Sequence, residues 1–323
     1  MMKMMSFIPW IMVAGIAAHD SVATAQPVTE GRTTGSTKSA APAKVEATPE
    51  TLPGAEPFVY KEVGDAKLRL HVVKPEGWRP TDKRACMLCF FGGGWINGTP
   101  DKMLPWAKWA AARGMVGVAA DYRTRSRFGT PPEDCVADGR AAARWIEDHA
   151  DELGIDPARV VALGSSAGGH VAAWTAIPDA VSPERSAEPV ARLRPAALVL
   201  LWPVTDTTAE GYGGPKRFGN DAERAASLSV TGRMPQQMPP TLVFHGTADP
   251  TVPYANSTSF AALMKDHGND CLLIPFEGGK HSLTSSKSGA QGKAAKARIE
   301  EETHAFLVDH ALIDRSPSDP PRP

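Results

Sequence analysis

The sequence predicts an α/β domain with a mostly parallel central sheet and helices on both faces. Three observations lead there. Apolar, β-branched runs alternate with stretches of helical spacing through most of the 323 residues. One such run, Arg159 to Leu163, enters the turn Gly164-Ser165-Ser166-Ala167-Gly168 and leaves as a helix, a strand–turn–helix of the form G-x-S-x-G. Ser166, Asp249 and His281 each follow the carboxyl end of an expected strand, the edge where such sheets bind ligands.

From the amino terminus, Lys3, the apolar stretch Met4 to Ala18 and the A-x-A site Ala23-Thr24-Ala25 read as a signal peptide over residues 1–25. The apolar run is short for a membrane span and contains Pro9 and Gly15. Export to a periplasm or the extracellular space is therefore expected, without stable membrane insertion after cleavage; an uncleaved anchor is the alternative. Residues 26–57 are rich in Thr, Ala, Pro, Glu, Gly and Ser and read as a disordered linker. The folded domain is expected over 58–313, and the Pro-rich residues 314–323 as a disordered tail.

Within the domain, Phe58 to Val63 and Lys67 to Lys74 alternate about Gly64-Asp65, a hairpin signal. Ala85 to Phe91 and Met115 to Ala120 are continuous apolar runs suited to strands covered on both faces. A helix is expected over Met103 to Arg113, ended by Gly114, and another over Cys135 to Leu153 after Pro131-Pro132. The elbow strand follows as the fifth. Ala196 to Trp202 makes the sixth, and Thr207 to Pro240, with little periodicity, is a small insertion after it. Thr241 to Phe244 and Cys271 to Phe276 are the last strands; Ser257 to His267 and Ala294 to Leu312 are helices.

The net charge of −1 supplies no basic field for nucleic acid and no acidic tail for cations, so the partner expected is a small or neutral molecule. Of the four cysteines, Cys86 and Cys89 lie three apart in one strand and should face opposite sides, which excludes a redox pair. Cys135 and Cys271 complete the set, and buried free thiols are expected. No Cys/His spacing suggests zinc. No metal and no cofactor are expected.

A serine hydroxyl attacks a carbonyl only when an imidazole accepts its proton and a carboxylate fixes that imidazole's tautomer. Ser166 is the candidate nucleophile, His281 the general base and acid, and Asp249 the orienting carboxylate. Asp206, also past a strand, is the alternative acid or else a cap on the insertion. His170 is expected to pack against the sheet, His245 is a rival to His281, and Ser165 is expected to face away. An oxyanion needs fixed donors, and Gly92, Gly93 and the N–H of Ala167 are the candidates. Trp95 and Tyr212 are the candidate substrate-binding residues, Tyr212 as a sugar-stacking ring or as lid packing. Arg123, Arg125 and Arg127 form either a solvated basic loop or a contact for uronate or another anionic glycan.

Phe90-Phe91-Gly92-Gly93-Gly94-Trp95, Ala120-Asp121-Tyr122-Arg123, Gly154-Ile155-Asp156-Pro157, the elbow and His281 together resemble the α/β-hydrolase superfamily. The resemblance is to its exported esterase branch, the acetyl-esterase or acetylxylan-esterase-like group related to the hormone-sensitive-lipase group, and it spans Phe58 to Leu312. It implies the α/β-hydrolase fold and a serine esterase. The related lipases carry histidine where Phe91 stands, a residue that braces the glycine loop, and a large amino-terminal cap, which the polar linker here is not expected to build. An open site suits a short acyl group on a small-molecule or glycan ester, acetylated sugars among them. A prolyl-oligopeptidase-like peptidase and a non-catalytic hydrolase-fold binding protein are the competing readings. The oligomeric state is left open.

Overall fold

The computed structural model describes residues 47–178, 194–212, 215–285 and 288–315. The expected signal peptide, the linker up to residue 46 and the tail from residue 316 lie outside them.

Eight strands form one sheet in the order β1-β2-β4-β3-β5-β6-β7-β8. The hairpin β1 (Glu56–Val63) and β2 (Ala66–Val73) forms one edge and pairs antiparallel with β4 (Val116–Ala120). The remaining strands, β3 (Arg84–Phe90), β5 (Ile155–Ser165), β6 (Ala197–Leu201), β7 (Thr241–Gly246) and β8 (Cys271–Phe276), run parallel to β4. β4 and β6 are buried at every position, as central strands covered by helices must be. From β3 the chain crosses to β4 on one side, and β5 then pairs with β3 on the other. The carboxyl ends of β3 and β5 therefore form the switch point of the sheet, a crevice between diverging loops.

Helices α1 (Leu104–Ala111), α2 (Arg125–Phe128), α3 (Pro132–Asp148) and α4 (Ala167–Trp174) precede the insertion. α3 starts earlier than expected, because Pro132 is preset for a first helical turn that Glu133 and Asp134 favour electrostatically. The insertion holds two short helices, α5 (Ala222–Ser227) and α6 (Val230–Arg233), capped by the side chains of Asp221 and Ser229. They are too short to imprint a period on the sequence, yet Phe218, Ala225, Leu228 and Val230 are buried in the core. α7 (Ala255–Asp266) and α8 (Gly289–Asp309) complete the domain. Among the described residues no helix is long and apolar enough to cross a membrane.

Two expected boundaries move. The linker does not extend to residue 57: β1 begins at Glu56, paired with Val72, and Leu52 is buried. Leu52 joins the fold because burying a leucine side chain is favourable by about 1.5–3 kcal/mol. β7 does not end at Phe244, since His245 and Gly246 pair with Pro275 and Phe276 of β8. Asp249 therefore lies three residues past its strand rather than five. The four cysteines are free, three of them buried, and burial raises the Cys271 thiol to about 12.

Candidate active site

Ser166 stands between β5 and α4 with φ 54° and ψ −121°, outside the regions open to an unstrained L-residue. Its neighbours hold it there. Its N–H donates to the Leu201 carbonyl at 2.9 Å, and its own carbonyl accepts from the N–H groups of His170 and Val204, each at 3.2 Å. The flanking glycines are required by close approach. A Cβ on Gly164 would lie 2.1 Å from the Gly168 carbonyl oxygen, and one on Gly168 would lie 2.2 Å from that of Phe91.

The loops after β7 and β8 bring the other two residues to the serine. His281 Nε2 is 3.1 Å from Ser166 Oγ, and His281 Nδ1 is 2.6 Å from Asp249 Oδ2. The Asp249 side chain is fully buried. Burial alone would raise its pKa. Hydrogen bonds from His245 and His281, and from the N–H groups of Thr251 and Val252, outweigh burial and hold the carboxyl well below the usual carboxylate range. The carboxylate can thus fix Nδ1–H on His281, leaving the Nε2 lone pair for the serine proton.

Asp206, the alternative acid, is engaged elsewhere. Its Oδ1 accepts from the Thr208 N–H at 2.8 Å and the Ser229 hydroxyl at 3.3 Å, which makes it a cap on the insertion. His245 approaches the same carboxylate, with Nε2 3.2 Å from Asp249 Oδ2 and 3.1 Å from the Val252 carbonyl, and Nδ1 2.6 Å from Ser257 Oγ. It supports the acid instead of replacing His281, a role the sequence reading missed. The signal was present in its spacing, four residues before Asp249. His170 is fully buried, but it packs toward the insertion: both His170 Nε2 and the Trp174 indole reach the Leu228 carbonyl at 2.9 Å.

Two carbonyls along the glycine loop are held by hydrogen bonds. The Phe91 carbonyl accepts from the Tyr122 hydroxyl at 2.5 Å, and that of Gly93 accepts from the N–H groups of Ile96 and Asn97. The Gly92 carbonyl oxygen lies 2.7 Å from where a Cβ on Gly98 would stand. In a planar trans peptide the following N–H points the opposite way, so those of Gly92, Gly93 and Gly94 point away from these partners. Gly92 lies against the nucleophile, since a Cβ there would be 3.2 Å from that of Ser166. The N–H of Ala167, at the start of α4, has no preceding helical carbonyl to bond. The phenyl ring of Phe91 does the bracing expected of a histidine, stacked on Tyr122 at 4.0 Å and 9°.

Three readings of the surrounding residues change. Trp95 is almost fully buried, packed within 5.1 Å of His170, 5.8 Å of Tyr212 and 6.0 Å of Phe218. Tyr212 is also buried, its hydroxyl accepting from Arg217 at 2.8 Å. Neither ring offers a face to a sugar, because packing these aromatics on one another buries more apolar area. The basic segment is not a solvated loop either. Arg123 forms a two-pronged pair with buried Asp138, and Arg127 bonds Asp121 and the Tyr122 carbonyl. Only Arg125 is exposed, so an Arg125–Arg127 contact to a glycan is not available.

Fold and site together define an α/β hydrolase. A family model described as alpha/beta hydrolase fold matches residues 87–234. Esterase 2 of the planctomycete Thermogutta terrifontis is 38% identical, covers 85% of this chain and 99% of its own, and superposes with a TM-score of 0.76. The same esterase with propionate bound is 39% identical over 82% of this chain and 97% of its own, at 0.73. Lipase 2 of Moraxella sp. (strain TA144) is 30% identical over 276 residues, 72% of this chain. The chain spans 62% of that lipase, and less than two thirds of the other first curated relatives it matches. The chain belongs to the α/β-hydrolase superfamily, in its esterase branch.

Proposed function

We propose that this chain hydrolyses carboxylic esters with short acyl groups, acetyl groups on carbohydrates among them, with Ser166, His281 and Asp249 as its catalytic triad. The observation that carries the reading is the 3.1 Å contact between Ser166 Oγ and His281 Nε2, held with the serine in a strained turn. Ser166 Oγ bonds to the ester carbonyl carbon as His281 Nε2 takes its proton. Asp249 balances the imidazolium charge. The N–H groups of Gly92, Gly93 and Ala167 receive the oxyanion. Collapse expels the alcohol oxygen, which takes the proton back from His281 and leaves an acyl-serine. Water repeats the sequence and releases the acid.

The short acyl group is supported by the buried Trp95, Tyr212 and Phe218, which pack on one another beside the glycine loop. The propionate-bound Thermogutta terrifontis esterase also supports it. Export belongs to the same proposal, on the strength of the leader expected over residues 1–25.

The test combines fluorophosphonate labelling with hydrolysis of p-nitrophenyl acetate, butyrate and palmitate, and of acetylated xylan. Labelling at Ser166 and a rate falling with acyl length are expected. Ser166→Ala should lower kcat by about a million-fold. Activity above a few per cent in that variant would remove the nucleophile assignment, and a preference for palmitate would remove the short-acyl reading.

A further inference from the structure

Beside the glycine loop lies a cavity of about 220 Å³, bounded among others by Gly94, Trp95, Arg125, Pro132, Arg217 and Phe218. Its two cationic walls are built in different ways. Arg125 begins α2, and that helix is stitched to the loop, with the Arg125 N–H on the Trp95 carbonyl at 3.0 Å and the Ser126 N–H on that of Ile96 at 2.9 Å. Arg123 and Arg127 on either side are consumed by Asp138 and Asp121, which leaves Arg125 exposed. Arg217 comes from the insertion. Its guanidinium donates to the Gly94 carbonyl at 3.2 Å and to the Tyr212 hydroxyl at 2.8 Å, with its central carbon 4.6 Å from the centre of the Tyr212 ring.

Those partners of Arg217 are neutral. Arg224 also reaches the cavity, but Glu133 matches its charge at 2.6 Å. Among the described residues no carboxylate lies within ion-pair distance of Arg125 or Arg217. The cavity thus carries two uncompensated positive charges, and several guanidinium N–H groups remain for a ligand. It shares the glycine loop with a residue that touches the nucleophile. Gly92 lies against Ser166, and Gly94 is two residues further, at most about 7.6 Å between Cα atoms.

We infer that this cavity is a subsite for a carboxylate carried by the ester substrate, with Arg125 and Arg217 as its ligands. The inference rests on the esterase reading above and adds specificity to it. The carboxylate sits on whichever half of the ester, acyl or alcohol, extends past Gly94 into the cavity. Held by a fork of N–H donors beside a low-dielectric wall, it gains more than it would in water.

The experiment compares kcat/KM of the full chain on matched esters. Mono-p-nitrophenyl succinate against p-nitrophenyl butyrate places the charge on the acyl side, and m-acetoxybenzoate against m-acetoxybenzamide places it on the alcohol side. Calorimetric titration with succinate and with benzoate reads the subsite without catalysis. One charged ester should be preferred over its neutral match by about tenfold or more. The pair that shows the preference identifies the half that bears the charge. Arg125→Gln and Arg217→Gln should each lower that ratio, and the affinity for the free carboxylate, by about tenfold. Arg125→Glu should invert the ratio, and high salt should narrow it. Because Arg217 also holds Gly94, the ratio and not the absolute rate is the measure. Equal ratios and equal carboxylate affinity in wild type and variants would overturn the subsite. Carboxylate binding lost in the variants, in a protein that hydrolyses no ester, would uphold the subsite and overturn the esterase reading.

Discussion

Replacing Asp249 by asparagine changes one atom and should disable the site through a proton's position. Asp249 Oδ1 accepts from two backbone N–H groups, Thr251 at 2.8 Å and Val252 at 3.0 Å. An amide nitrogen there would face two donors, so the asparagine oxygen takes that place and its NH₂ replaces Oδ2. The NH₂ then meets His281 Nδ1 at 2.6 Å and His245 Nε2 at 3.2 Å, and both rings must present lone pairs to it. His281 is left with its proton on Nε2, facing Ser166 Oγ with nothing to accept the serine proton. His245 can adapt by donating from Nδ1 to Ser257 Oγ. The expected loss is about ten-thousand-fold in kcat, or about 5 kcal/mol at 1.36 kcal/mol per decade. The assay is kcat on p-nitrophenyl acetate, with ¹⁵N shifts of the imidazoles reporting the tautomer. Asp206→Asn, which alters only a loop cap, should change kcat by less than about tenfold. A loss under tenfold in Asp249→Asn, or an equal loss in Asp206→Asn, would refute the assignment of the acid.

Three further outcomes are expected. Tyr122→Phe removes the buried hydroxyl that holds the Phe91 carbonyl, should cost about 1–3 kcal/mol in urea melts, and should lower kcat rather than raise KM. Gly168→Ala places a Cβ 2.2 Å and 2.3 Å from two fixed carbonyl oxygens, and should lower the Tm by several degrees or prevent folding; a wild-type Tm would contradict the packing described. His170 has its pKa lowered to about 4 by burial, a hydrogen bond to Leu228 offsetting part of the effect. The unfolded chain binds a proton near 6.5 that the folded chain refuses, so stability present above pH 6.5 falls as pH drops towards 4 and then levels. This residue accounts for about 3 kcal/mol of that fall, and a His170→Gln variant whose stability varies with pH as steeply as wild type would disprove it.

Much of this was legible in the chain. The strands announced themselves because a buried parallel strand can hardly be anything but a continuous apolar run, as in Val116 to Ala120. Ser166, Asp249 and His281, which the structure brings together, stood out because their loops follow such strands, and strand ends are where a sheet exposes side chains to a ligand. What could not be read depends on partners far away in sequence. Arg123 and Arg127 look like solvent-facing cations until Asp138 and Asp121 are brought beside them. Trp95 and Tyr212 look like ligand-facing rings until the insertion folds over and stacks them together. His245 looked like a competitor because a single sequence does not show that one carboxylate can serve two imidazoles.

The Leu228 carbonyl receives N–H groups from both His170 and Trp174, so the insertion is fastened to the helix that carries the nucleophile's peptide. Arg217 fastens it again at Gly94. A roof nailed at both eaves does not swing. Turnover should therefore follow the concentration of dissolved ester smoothly, with no sudden gain when an insoluble ester separates into droplets.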